Sequence, residues 1–314
     1  MTLPLYLTLP LAAAVLYTIG SIFQKRALHA GASVRQVFHT NNLCIAAAIL
    51  PLVFFEKQSP VWSDLHQPLL AGAVFYAGAL FNTIAIRRGD ISLVNPLLGT
   101  KAVFVAIGSA ILIGEALPPA LWAGAILASI GIFVLGAKSF AGTASQRHLL
   151  PAIGLAITSA SCFALTDVLV SKWAPGFARI SFVVIMSTSV AAYSITLNPL
   201  LLPGTADRRR LRMAPAESRL PMALGGLIIG TQAMLIAIAL SNYNDPTGIN
   251  IVYSSRGLWS VVLVWVFAST LGANETGTAA SGRSPLPLRL AGTAILTAGI
   301  IVAVLARSGS SLTH

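Results

Sequence analysis

The sequence predicts an all-α integral membrane protein: ten transmembrane helices arranged as two inverted five-helix repeats. Three observations carry this expectation. Hydrophobic residues make up 56% of 314 positions and charged residues only 9%, where a soluble domain carries roughly a quarter charged. Long apolar runs recur along the chain, each near the roughly 20 residues a helix needs to cross about 30 Å of hydrocarbon, and the alternating pattern of a membrane barrel is absent. One polar string is written twice within these runs: Asp90-Ile-Ser-Leu-Val-Asn95-Pro-Leu-Leu-Gly-Thr-Lys101 and Asp245-Pro-Thr-Gly-Ile-Asn250-Ile-Val-Tyr-Ser-Ser-Arg256.

Apolar runs between polar breaks place the first five spans near 5–25, 33–54, 69–86, 91–113 and 118–137. The second five fall near 149–173, 178–200, 220–240, 246–271 and 287–306. The first span lacks the basic start of a signal peptide, and its end, Gln24-Lys25, is answered by Ser171-Lys172 at the end of the sixth. It is therefore expected to be part of the architecture. Spans two, three, seven and eight rest on apolar length alone.

Spans four and nine hold the repeated string. Pro96 and Pro246, with Gly248, remove donors and free carbonyls, so both helices are expected to kink. Spans five and ten repeat Ala123-Gly124 and Gly131-Ile132 as Ala291-Gly292 and Gly299-Ile300. Glycines about two turns apart mark a closely packed helix face. Spacing between matched positions widens along the chain, so the second half carries longer loops, at 205–219 and 274–287. The repeats are expected at 1–140 and 147–308. Because five is odd, the second repeat enters the membrane upside down.

A net charge of +11 falls mostly between spans, where membrane orientation and anionic headgroups account for it better than nucleic acid does. Most of the cations, among them Lys25, Arg26, Arg87, Arg88, Lys138 and Arg208 to Arg210, follow odd-numbered spans. The positive-inside rule then places both termini outside. Cys44 and Cys162 lie in apolar runs, which excludes a disulfide framework or metal cluster. The five histidines are scattered, with no nucleophile–base or metal-ligand spacing. No catalysis and no cofactor are expected.

If each aspartate of the repeated string marks a membrane boundary, about 16 Å of helix rise brings Lys101 and Arg256 to the midplane from opposite sides. A charge there costs at least about 2.5 kcal/mol, so each needs a partner or water. Asp167 is the acidic residue well within a span. It either neutralises one cation or serves as a protonatable coupling group. The substrate-binding candidates are Lys101, Arg256, Asn95, Asn250, Tyr253, Ser255, Tyr17 and Gln232, with Thr18, Ser21, Gln24, Asn82, Thr100, Thr166, Ser254 and Trp259 nearby. Membrane serines and threonines often only hydrogen-bond their own helix, so the asparagines are the stronger candidates of the two kinds.

Pro96, Gly114-Glu115, Pro118-Pro119, Gly124 and Gly131, together with Lys25 and Lys172, give the chain a resemblance to the EamA-like branch of the drug/metabolite transporter superfamily. The resemblance implies ten helices in two inverted repeats around a cavity lined by helices one, three, four, six, eight and nine. It places Lys101, Asp167 and Arg256 on lining helices. It also implies a small-molecule substrate, a lipid bilayer and a proton or counter-substrate, in a bacterial inner membrane, with the termini in the cytoplasm, opposite to the charge bias. The second half departs from the pattern, reading Gly272-Ala273-Asn274-Glu275 in place of the Gly-Glu pair. The expected activity is secondary active transport of a small anionic or zwitterionic metabolite by alternating access. The alternatives are a proton-coupled multidrug or cation exporter using Asp167, and a non-transporting membrane scaffold.

Overall fold

A computed structural model describes residues 5–88, 97–141, 146–201, 214–267 and 286–310, and among them there is no strand. The α-helices are α1 (Thr8–His29), α2 (Val34–Ile49), α3 (His66–Arg88), α4 (Lys101–Gly108), α5 (Pro119–Ala141), α6 (Gln146–Phe177), α7 (Arg179–Leu201), α8 (Ala216–Asn242), α9 (Pro246–Tyr253), α10 (Arg256–Phe267) and α11 (Leu286–Ser310). Among the described residues, Val34–Phe55, Trp62–Ala85, Leu150–Phe177, Arg179–Leu197 and Ala216–Asn242 are long and apolar enough to cross a membrane. Leu98–Ile113, Pro119–Val134 and Ala294–Leu305 are apolar but shorter. Large apolar side chains on helix exteriors, such as Ile111, Ile126, Phe133, Ile195, Leu227 and Ile301, are exposed, as suits contact with lipid.

Local chemistry explains the helix ends. Ser33 and Gln36 form a reciprocal capping box at the start of α2, which satisfies two otherwise orphaned donors. Pro51 ends the α-pattern of α2, and residues Leu50–Phe55 tighten into a 3-10 turn. The fourth span is α4 flanked by a 3-10 turn, Leu98–Thr100, and a π-turn, Ser109–Ile113. Gly114 closes that π-turn at φ 77°, a left-handed conformation that glycine adopts without steric cost. This gives the Gly114-Glu115 pair a geometric reason.

Where the sequence predicts a ninth span lie α9 and α10, separated by a turn at Ser254-Ser255. The kink expected at Pro246 therefore lies elsewhere. Pro246 occupies the opening turn of α9, where its missing N–H is no loss, and Pro96 lies outside the described residues. The two irregularities instead come immediately before Lys101 and Arg256. The repeated Gly-Thr-Lys and Ser-Ser-Arg strings thus mark the same local event, a helix interrupted and then restarted on its cation.

Helix packing has a paired pattern. α1 packs on α8, and α3 packs on α6; α2 packs on α8, and α3 on α7; α4 packs on α6, and α1 on α10. Two further contacts join like to like, α2 with α7 and α5 with α11. In the α5–α11 seam, a Cβ on Gly131 would collide with the backbone of Leu296, and one on Gly299 with that of Ala128 and Gly124. The main apolar cluster joins Ala14, Ile45, Val170, Phe182, Ile229 and Tyr253, so residues of both halves share one core.

The turn between α6 and α7 is held from a distance. Val61 N–H donates to the Phe177 carbonyl at 3.1 Å, and Ser181 N–H donates to the Glu56 carboxylate at 2.8 Å. Between them Ala178 sits at φ 110°, in a region that costs an L-residue with a side chain of order 1–3 kcal/mol.

Candidate functional site

Helices α4, α6, α9 and α10 meet at one buried cluster. Lys101, the first residue of α4, places Nζ 2.6 Å from Asp167 Oδ2 on α6. Asn250 Nδ2, on α9, donates to the same oxygen at 2.8 Å and to the Pro246 carbonyl at 2.9 Å. The side chains of Lys101 and Asp167 are 15% and 10% exposed, so this carboxylate is taken out of water only because it holds two donors. A buried pair of this kind is costly to break from one side.

Arg256, the first residue of α10, is held differently. Its guanidinium lies 4.9 Å from the ring centroids of both Tyr17 and Tyr253. The two rings meet edge to face, 6.1 Å apart at 81°, so the cation occupies the angle between them. Cation–π contacts in a desolvated site contribute about 2 kcal/mol or more. Lys101 Nζ lies 5.8 Å from the far side of this arrangement, the Tyr253 ring. Tyr253 therefore joins the two cations into one site. With Asp167 bound to Lys101, two cations share one carboxylate among the described residues, and the cluster has a positive excess.

Arg256 is anchored through its backbone as well: Thr18 Oγ1 donates to the Arg256 carbonyl at 3.4 Å. On the other side, Ser129 Oγ donates to the Gly99 carbonyl at 3.1 Å, and Gly99 presses on Ile132 so closely that a Cβ could not be accommodated. The interruptions before the two cations are thus each pinned by a neighbouring helix.

The remaining candidates divide clearly. Ser255 Oγ, in the turn before α10, and Trp259 Nε1, in its first turn, are buried with no hydrogen-bond partner, as is Asn82 Oδ1 on α3. A buried polar group left unpaired costs about 1–3 kcal/mol: the Ser255 hydroxyl and Trp259 N–H are donors without an acceptor, and Asn82 Oδ1 is an acceptor without a donor. Gln232 is buried on α8 and is hydrogen-bonded to none of the cluster. Thr18, Ser21, Thr166 and Ser254 donate to carbonyls one turn back on their own helices, and Thr100 donates to the Leu97 carbonyl. Gln24 is spent on Asn41 of α2 at 2.8 Å. Asn95 and Asp90 lie outside the described residues.

Asp245, read from the sequence as a boundary marker, caps α9 by accepting from Gly248 N–H at 2.8 Å. It also accepts from Tyr6 Oη at 2.6 Å, and Tyr6 stacks on Tyr243 at 4.8 Å. The beginning of the first span is thereby tied to the beginning of the ninth. Sequence reasoning missed this tie because its partners are far apart along the chain, although Tyr6 next to an apolar run was a visible hint.

Residues 4–137 match the model of the EamA-like transporter family. A solved crystal structure of a protein superposes with a TM-score of 0.72 over 98% of this chain and 99% of its own, at 17% identity, which shows a shared fold. No curated protein sequence matches the chain.

Proposed function

We propose, from the EamA-like transporter domain at residues 4–137, a member of the drug/metabolite transporter superfamily, that the whole chain is a secondary transporter for a small anionic or zwitterionic metabolite. The observation that carries this reading is the double-cation cluster: Lys101 in an exchangeable pair with Asp167, and Arg256 boxed by two tyrosines. A carboxylate or phosphate entering the cluster competes with Asp167 for Lys101 and meets the unpartnered Ser255 and Trp259 donors. Charge-assisted hydrogen bonds of this kind are roughly twice as strong as neutral ones. Protonation of Asp167 frees Lys101 without leaving a buried unpaired anion, which makes this residue the natural coupling group for a proton.

Two inverted repeats suit the packing. Exchanging the halves turns α1–α8 into α6–α3, α2–α8 into α7–α3, and α4–α6 into α10–α1, each a contact that occurs. Glu56, just after α2, bonds Ser181 at the start of α7, so the second helices of the two halves run in opposite directions. Such an arrangement supports alternating access around a site between the repeats. The cation-exporter alternative rests on the same Asp167, which would have to leave Lys101 to meet a cationic drug.

The test is uptake into proteoliposomes. Lys101→Ala and Arg256→Ala are each expected to lower transport of an anionic solute by about tenfold or more, since hydrogen bonds to charged groups contribute about 1.5–3 kcal/mol. Unchanged transport in both variants sinks the cationic-site reading. Asp167→Asn that keeps uptake but loses proton dependence supports coupling at this carboxylate, whereas export of cationic drugs abolished by the same substitution favours the alternative.

A further inference from the structure

A second basic site lies at the end of α6 that faces the start of α7. Here a cavity of about 340 Å³ opens between α6, α7, α8 and the π-turn after α4. Lys172 and Arg179 line it, with the Asn244 amide beside them and Leu112, Pro175 and Leu240 as its apolar walls. No described residue forms an ion pair with either cation. Arg179 Nε is buried and has no hydrogen-bond partner.

The acid that reaches this turn is already committed. Glu56 accepts from the backbone N–H groups of Lys57, Gln58 and Ser181, so both of its oxygens are occupied by the main chain. Two cations, one of them with a buried and unpartnered guanidinium donor, then face a cavity large enough for much more than a water, whose share of liquid volume is about 30 Å³. A guanidinium fork matches the oxygens of a phosphate group, and an ammonium adds a point charge. The apolar walls leave room for a nonpolar body next to that head.

We infer that this cavity is an anion site for a phosphate-bearing ligand, distinct from the central cluster. Ser171, on its lining, is one turn beyond Asp167 on α6, which puts the two sites about 5–6 Å apart along the helix. The headgroup of an anionic lipid and a free phosphate share the chemistry required. The inference does not depend on the charge of the transported solute, because none of the central residues line this cavity.

The test uses the purified full-length protein in a neutral detergent. Inorganic phosphate is titrated by calorimetry, and retention of phosphatidylglycerol against phosphatidylcholine is followed by native mass spectrometry. Both measurements are run in an Arg256→Gln background, which weakens any hold of the central cluster on phosphate; binding of either probe there, weakened about tenfold or more by Lys172→Gln or Arg179→Gln, establishes the site. Phosphate binding alone identifies a free anion, and selective phosphatidylglycerol retention alone identifies a lipid. The inference is overturned if neither probe binds in that background, or if binding there survives the added Lys172→Gln/Arg179→Gln pair. Arg179→Lys keeps the charge and must retain measurable binding; its failure alongside a normal melting temperature restricts the ligand to one requiring the guanidinium fork.

Discussion

Lys101 and Arg256 hold matching places in the two copies of one string, each as the first residue of a restarted helix, yet they are stabilised by different means. Lys101 is neutralised by a carboxylate at 2.6 Å. Arg256 is held by Tyr17 and Tyr253. The same asymmetry recurs at the first turn of each half. Gly31 takes φ 90° and Ala178 takes φ 110°, and these two positions are separated by the same interval as Lys25 and Lys172. The helix after the first turn is capped by its own Ser33 and Gln36, whereas α7 borrows Glu56 from the other half. The two turns share a positive φ, and their closure differs: one is followed by a helix capped by its own residues, the other is held by Glu56.

The largest way to break this comparison is at the ion pair. Asp167→Ala strands Lys101 in the interior and is expected to cost about 3–5 kcal/mol of stability, read by unfolding in detergent. A Lys101→Met/Asp167→Leu double variant should recover most of that loss; simple additivity of the two changes would show that the pair is not coupled. Arg256→Ala comes next, lowering uptake by roughly 10- to 100-fold. Arg256→Lys should rescue little, since an ammonium lacks the planar fork and stacks less well on the rings.

The turns offer a smaller, reciprocal test. Gly31→Ala is expected to destabilise the protein by about 1–2 kcal/mol, while Ala178→Gly stabilises it by about 1 kcal/mol, both read as shifts in melting temperature. Shifts of the same sign in the two variants would contradict equivalence of the turns. The caps come last. Ser33→Ala should cost about 1 kcal/mol at any pH. At Glu56, burial pushes the carboxyl upward, but N–H bonds from Gln58, Ser181 and Lys57 outweigh it and hold the pKa below its usual 4.5. A depressed folded pKa means stability that is present above the unfolded value and lost as pH falls through the folded one. The wild-type melting temperature should therefore drop as pH falls below 4.5, by an amount that Glu56→Gln removes and Ser33→Ala leaves unchanged.

Features written in local pattern were legible in the sequence. Composition and apolar length give the helical membrane class, and Gly124, Gly131 and Gly299 already mark the seam that α5 and α11 form. The motif carrying Lys101 and Arg256 pointed at the residues that now share Tyr253. What was not legible depends on partners distant in sequence. Pro246 drew attention to the wrong position, because a helix start tolerates it, while Ser129 and Thr18 pin the interruptions before Lys101 and Arg256 from other helices. Nothing near Ala178 announces that Glu56 and Val61 close its turn.

That borrowed closure bears on how the protein is made. Synthesis runs from the N-terminus, so Glu56 and Val61 emerge long before the α6–α7 hairpin that they clasp. The strained turn at Ala178 is thus born into a ready mould. A second half expressed on its own, or a permuted chain that puts it first, would have to form this hairpin with no mould waiting.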